Sequence, residues 1–219
     1  MQIERVSVKL NFLSPILGSL PADPALLTKF IASKAPSPWQ ETEEEDVAKD
    51  REEEFDKERG LTVFAADEKG LFLYDYHVKG FIKEAGNVLK DTEGIKIKNL
   101  RSKIDNYLFV QPRRIYLCRE DGSIIQEEDE IFERPLRAQT MRGPRISLVA
   151  SERINLPITC QFTIEILENE KDVNWKVVQK LLDYGKFKGL GQWRNGGWGR
   201  FEWEKVRRET GGNQNFRDP

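Results

Sequence analysis

Between Gly189 and Gly199 the chain reads Gly-Leu-Gly-Gln-Trp-Arg-Asn-Gly-Gly-Trp-Gly, five glycines in eleven residues with an arginine at the centre. Lys186 and Lys188 lead into this run and Arg200 leads out. Glycine reaches positive φ without a Cβ penalty, so such a run turns sharply and brings backbone N–H groups against another molecule. N–H groups curled into a concave nest favour an anion, and the nearby cations add long-range attraction. A phosphate backbone fits that chemistry. No Gly-Lys-Ser/Thr follows, as a P-loop would require, and the run does not open a helix after an early strand, as a dinucleotide fingerprint does. The candidate contacts are Gly189, Gly191, Gly197, Gly199, Lys188, Arg194 and Arg200. Trp193 stands beside Arg194 at the loop centre and is placed to stack on a base, whereas Trp198 reads as a core anchor.

A second basic stretch runs from Arg134 to Arg145. Arg137, Arg142 and Arg145 sit among small and polar residues next to Gly143-Pro144. An irregular segment of that kind suits phosphate contacts along a single strand. The alternative pairs these arginines with Glu127, Glu128, Glu130 and Glu133 just upstream. His77 is the single histidine, at the entrance of a helical pattern with Lys79 close by. A side chain titrating near neutrality suits proton transfer, but a capping or surface role is the plainer reading. Asp23 precedes a proline, the place of a turn residue.

Charge distribution says more than the net charge of −2. Residues 41–59 carry eleven acids and four bases, a net −7 that leaves +5 for the remainder. Glu43, Glu44 and Glu45 are consecutive and do not converge on one ion, so this stretch reads as a solvated helix or flap. Within 134–153 five arginines face one acid, and within 176–200 six bases face only Asp183. Two cysteines and one histidine suggest neither a metal cluster nor a disulfide framework, so no metal or cofactor is expected. With no apolar run near the roughly 20 residues of a membrane span and no apolar leader, a reducing cytoplasm is the expected compartment.

The elements that would position these residues follow from periodicity. Val6, Val8, Leu10 and Phe12 alternate with polar residues, as do Ile158, Cys160, Phe162, Ile164 and Ile166. An amphipathic helix is predicted over about His77–Lys90, with Gly80 and Gly86 implying close packing on a sheet. A second helix opens at Asp172 as N-cap and stops near Gly185. Tyr107–Val110 and Arg114–Cys118 read as strands, the latter turning through Glu120–Ser123 into Ile124–Ile125, and Phe201–Lys205 closes the set. Strand, helix, strand, strand, helix, strand is an α+β arrangement of the ferredoxin-like (RRM-like) kind, one domain with insertions over about 13–76 and 119–157.

Read as Gly-hydrophobic-Gly, five residues including a basic one, then Gly-hydrophobic-Gly, the loop resembles that of the RAMP superfamily. These are CRISPR-associated RNA-binding proteins built on ferredoxin-like domains, with the loop between the last helix and last strand. In layout the chain resembles the backbone subunits of CRISPR effectors, whose insertions form lobes and a thumb across the bound RNA. The resemblance implies single-stranded, guide-like RNA as ligand, self-association or other effector subunits as partners, and an RNA contact at Lys79. It also implies two alternatives to a pure binding role. Superfamily endoribonucleases work without metal through a histidine, which would be His77, and some backbone subunits cleave through an aspartate of an early loop, the position of Asp23. A third reading is a phage or host assembly protein that uses the loop for protein contacts.

Overall fold

The computed structural model describes residues 3–22, 60–91, 95–140, 143–167 and 172–206, with only the backbone of 136–140 and 144–147. The acidic stretch 41–59, Asp23 and Arg142 lie outside the described residues. The chain is a mixed α+β protein with two sheets of mostly antiparallel pairing and three α-helices among those residues.

Alternation of apolar and polar residues produces the two central strands. In β1 (Ile3–Phe12), Val6, Val8, Leu10 and Phe12 are buried, and in β11 (Thr159–Leu167) Cys160, Phe162, Ile164 and Ile166 are. The strands pair antiparallel, Val8 opposite Phe162 and Leu10 opposite Cys160, so both apolar sets face one core. β12 (Phe201–Lys205) flanks β1 on its other side. Beyond β11 run β7 (Leu108–Gln111) and β8 (Arg114–Cys118), followed by β6 (Gly70–Tyr74) and β5 (Ala65–Asp67). β7 and β8 are not successive partners in a hairpin. Both run antiparallel to β11 along the same edge, interrupted at Pro112-Arg113, where proline offers no N–H to a ladder. The path β1, α1, β7, β11, α3, β12 therefore gives the strand order β12-β1-β11-β7, all antiparallel.

α1 (Asp75–Leu89) turns Val78, Phe81, Ile82 and Ala85 into the core. Gly86 packs against Ile104 and Leu100 of α2 (Leu100–Tyr107), a helix that the sequence reading did not foresee, and Gly80 meets nothing. The close approach is thus to a helix, not to a sheet. α3 (Trp175–Asp183) buries Val177, Val178, Leu181 and Leu182. Its N-cap is Asn174, whose side chain accepts the Val177 N–H at 3.2 Å, and not Asp172, which pairs with Lys103. Gly185 lies in a short 3₁₀ turn after α3, directly beneath the Phe201 ring.

The second sheet comprises β2 (Ile16–Leu17), β3 (Leu20–Pro21), β4 (Leu61–Val63), β9 (Glu130–Thr140) and β10 (Gly143–Ile154). β9 and β10 form a regular antiparallel arm from the Gly143–Thr140 pair to Arg153–Glu130, and β10 also pairs β2 antiparallel and β4 in parallel. The arginine stretch expected to be irregular is part of this ladder. Alternating residues such as Arg134-Pro135-Leu136-Arg137 satisfy strand geometry once a partner supplies the hydrogen bonds.

Phe201 ties β12 to the rest of the core, meeting Phe81 edge-on at 5.0 Å between centroids and Phe12 at 6.2 Å. Phe201→Ala should cost about 3–5 kcal/mol in urea unfolding; a loss below about 1 kcal/mol would mean that β12 is not anchored there.

Candidate functional site

The glycine run leaves α3 through the 3₁₀ turn Tyr184–Lys186 and returns to β12, and it is seated by backbone on the segment between β1 and β3. Gly199 N donates to Pro15 O at 2.8 Å, Gln192 N to Leu17 O at 3.1 Å, and Leu13 N to Arg200 O at 2.7 Å. Across the loop, Leu190 N reaches Gly199 O at 2.9 Å. Buried Ser14 closes the seat, its Oγ donating to Gly197 O and accepting from Arg200 N, each at 2.9 Å. A methyl group at Gly189 would overlap the Gly199 carbonyl, and one at Gly199 would overlap Leu190 O. At Gly191 (φ +81°) it would lie 2.5 Å from Leu17 O, whereas at Gly197 (φ +85°) it would meet nothing. Most of the glycines therefore serve contact of the chain with itself. The amides of Leu190, Gln192, Gly196, Gly197, Gly199 and Arg200 are spent internally; those of Arg194 and Asn195 have no acceptor among the described residues.

The cations expected to grip phosphate have different fates. Lys188 Nζ and Arg194 Nη1 each lie 2.6 Å from one oxygen of Glu84, on α1. Burial alone would raise the Glu84 carboxyl, but hydrogen bonds and charge from these two cations outweigh it and hold it below the usual carboxylate range. Lys79 and Lys83 likewise share Asp105 of α2, at 3.5 and 3.0 Å, and Lys79 lies 4.9 Å over the Phe109 ring. Arg200 is exposed and has no acidic partner among the described residues.

His77 is committed locally. Its Nδ1 accepts the Tyr74 N–H at 3.3 Å, capping the start of α1, and its ring stands edge-on to Tyr76 at 4.5 Å. Burial, together with the Arg194 cation, lowers its pKa to about 4, so the ring is neutral at pH 7.

Trp193 sits in the left-handed region at φ +50° and is 39% exposed. Its ring is offset-stacked on Phe132 of β9 and on Trp198, each at 6.2 Å between centroids. Arg134 of β9 lies 4.4 Å over Trp193, and Arg153 of β10 lies 5.1 Å over Trp198 and 5.7 Å over Phe132. Phe132 and Arg134 are two residues apart on β9, and Arg153 faces Glu130 across the pair, so these groups share one face of the arm. The result is a layered junction of guanidinium and aromatic groups that joins arm to loop. Arg134, Phe132 and Arg153 were not singled out from sequence as members of a site. The signal was present as a period-two Phe-x-Arg in β9, legible only once the strand is known. Trp198 joins this layer instead of the main core. Arg137 and Arg145 are not brought to the loop; they lie farther out along the arm, about 10–13 Å beyond the Arg134–Val149 pair.

Among the described residues no three His, Cys, Asp or Glu converge as a metal site, and no helix is long and apolar enough to cross a membrane.

No family model and no curated protein matches this sequence. Among solved structures the chain is similar to one from the Type IV-B CRISPR complex, with a TM-score of 0.50 and 9% identity over 98% of this chain and 96% of that one. It is also similar to a chain in the cryo-EM structure of the Type III-B Cmr-beta complex bound to cognate target RNA, with a TM-score of 0.44 and 10% identity over 93% of this chain. The chain spans 60% of that longer one. At such identities the likeness is one of fold.

Two measurements test the site. Gly189→Ala should destabilise the protein by about 2–3 kcal/mol through overpacking of backbone on backbone, and Gly197→Ala by about 1 kcal/mol through φ strain alone; equal costs in urea unfolding would contradict the close packing described. For His77, the unfolded pKa of 6.5 lies above the folded value of about 4, so the unfolded chain takes up the proton first. The contribution of the neutral ring is full above pH 6.5 and is lost as pH falls toward 4, at most about 3 kcal/mol. His77→Gln, which keeps an acceptor for Tyr74 N–H, should show a flatter stability profile than wild type between pH 7 and 4.5; parallel profiles would show that His77 is not held neutral.

Proposed function

We propose that this chain is a single-stranded RNA-binding protein of the CRISPR effector kind, a RAMP-like subunit on a ferredoxin-like core that holds the RNA backbone without reading its sequence. The observation that carries the reading is the junction of the glycine loop with the arm, where guanidinium groups of Arg134 and Arg153 lie on the rings of Trp193, Trp198 and Phe132. Aromatic faces among cations suit a strand of stacked bases and phosphates, because every base has a π-face and every nucleotide a charge.

Three further observations support it. The strand order β12-β1-β11-β7 with α1 and α3 as crossovers is that of a β-α-β-β-α-β unit, with the glycine loop between its last helix and last strand. β2, β3 and β4 fall within the first expected insertion and the arm within the second, which suits the order that lobes and a thumb take in RAMP backbone subunits. The end-to-end likeness to a chain of the Type IV-B CRISPR complex agrees in fold, and it supports other effector subunits, or further copies of this chain, as partners.

In this reading the loop acts through its shape. Seated on residues 13–18, it fixes where Trp193 and exposed Arg200 face the strand, while Arg137 and Arg145 on the arm supply contacts farther out, joined by Arg142, which lies outside the described residues. Lys188 and Arg194 hold the loop to α1 through Glu84. Arg194 is then a positioning residue, and Lys79 carries its charge on the same helix, beside Asp105 of α2.

Affinity for a single-stranded oligoribonucleotide should fall steeply with salt, by about 0.7 in the log–log slope for each phosphate neutralised. Arg137→Ala and Arg145→Ala should each reduce that slope by about one such step without changing the urea midpoint. Binding that is flat between low and physiological salt would remove the phosphate-backbone account.

A further inference from the structure

Arg134 is the only buried arginine among the described residues, 6% exposed. Its Nε and Nη1 are sealed from solvent and have no hydrogen-bond acceptor. No carboxylate pairs with it among the described residues: Glu130 is 3.4 Å from Arg153, and Glu84 is taken by Lys188 and Arg194. The Trp193 ring beneath it attracts the cation through its π-face. A π-face does nothing for the N–H groups in the guanidinium plane, and a desolvated cation without an acceptor is strongly unfavourable. Burial lowers the guanidinium's proton affinity accordingly. A fold that keeps such a group beneath the junction of arm and loop holds a half-finished interaction, and the missing half is an anionic acceptor lying in the guanidinium plane. Trp193 adds the second half of the description, since its partly exposed ring offers apolar, aromatic area beside that acceptor position.

We propose that Arg134 and Trp193 form a subsite for one nucleotide, Arg134 taking its phosphate through in-plane N–H groups and Trp193 covering its base. The subsite deepens the RNA-binding reading and rests on it for the source of the phosphate; a free phosphate has the same chemistry. Since Nε and Nη1 are sealed, the occupant enters with a small shift of the arm away from the loop. Arg153 Nε is likewise buried without a hydrogen bond, but unlike Arg134 it has a carboxylate within ion-pair range, Glu130 at 3.4 Å, so it serves to hold the Trp198 side of the junction in place during that shift.

The test titrates the full chain with a twelve-residue oligouridylate, uridine 5′-monophosphate and inorganic phosphate, following tryptophan emission, in wild type, Arg134→Gln and Arg134→Lys. Arg134→Gln should lower oligouridylate affinity at least tenfold and the salt slope by about 0.7, with Arg134→Lys intermediate. The urea midpoint of unliganded Arg134→Gln should equal or exceed that of wild type, because an unpaired buried charge has gone. Wild-type affinity and slope in a folded Arg134→Gln protein overturn the subsite and leave the RNA reading standing. If Arg134→Gln does not fold, wild-type affinity in Arg134→Lys overturns the subsite equally. A wild-type chain that ignores the oligonucleotide, yet binds inorganic phosphate in an Arg134-dependent way, keeps the subsite and removes the RNA reading. A wild-type chain that binds none of the three removes both.

Discussion

Backbone lying directly on backbone, between residues 13–18 and the glycine run, is the contact on which the arrangement depends. A side chain cannot intervene at Gly191, where it would meet Leu17 O, so the two segments approach to hydrogen-bonding distance of one another's main chains, while Gly189 and Gly199 let the two limbs of the loop close on each other. The same short segment contains β2, which pairs with β10 at Ile154–Ile16 and Arg153–Leu17. One stretch of chain thus receives the loop on one side and the arm on the other. The spacing between Trp193 and Arg134 follows from that double attachment.

Charge then fixes what contact leaves free. Glu84 draws two cations onto α1, one from the head of the loop and one from its centre, and the Arg194 guanidinium in turn helps to keep His77 neutral at the head of that helix. Helix, cap and loop are consequently one electrostatic unit. A residue type that suggests proton transfer is used here to finish a helix, and two that suggest phosphate binding are used to hold a loop. Arg134 is the counterexample, since no acceptor among the described residues completes it.

Residues with strict period-two alternation, Val6–Phe12 and Cys160–Ile166, were legible from sequence because each strand buries one face on a single core. The helix faces of α1 and α3 were legible for the same reason, except at Val88 of α1, whose spacing suits the buried face but which is exposed. What could not be read was pairing. Whether Leu108–Gln111 and Arg114–Cys118 neighbour each other or both lie along β11 depends on partners far away in sequence, and the β9–β10 ladder looked irregular because Pro135, Gly143 and Pro144 mask its alternation. The glycine loop was recognisable by composition, but its purpose was not: positive φ at Gly191 and Gly197 suits an exposed nest and a packed seat equally. Only the neighbouring carbonyls of Pro15 and Leu17 distinguish the two.

The loop's seat also has a kinetic meaning. Ser14 and Arg200, joined by a hydrogen bond, are 186 positions apart in sequence, and β1 is completed by β12 from the same distant stretch. Contacts of such separation form late, because the chain must lose the freedom of nearly its whole length before they return any stabilisation. During synthesis β1 has an open edge and residues 13–18 have unmet carbonyls until the last described strand leaves the ribosome. The junction that would hold a nucleotide is therefore assembled at the end of folding, so a chain stopped before Gly189 presents neither the loop nor a finished sheet.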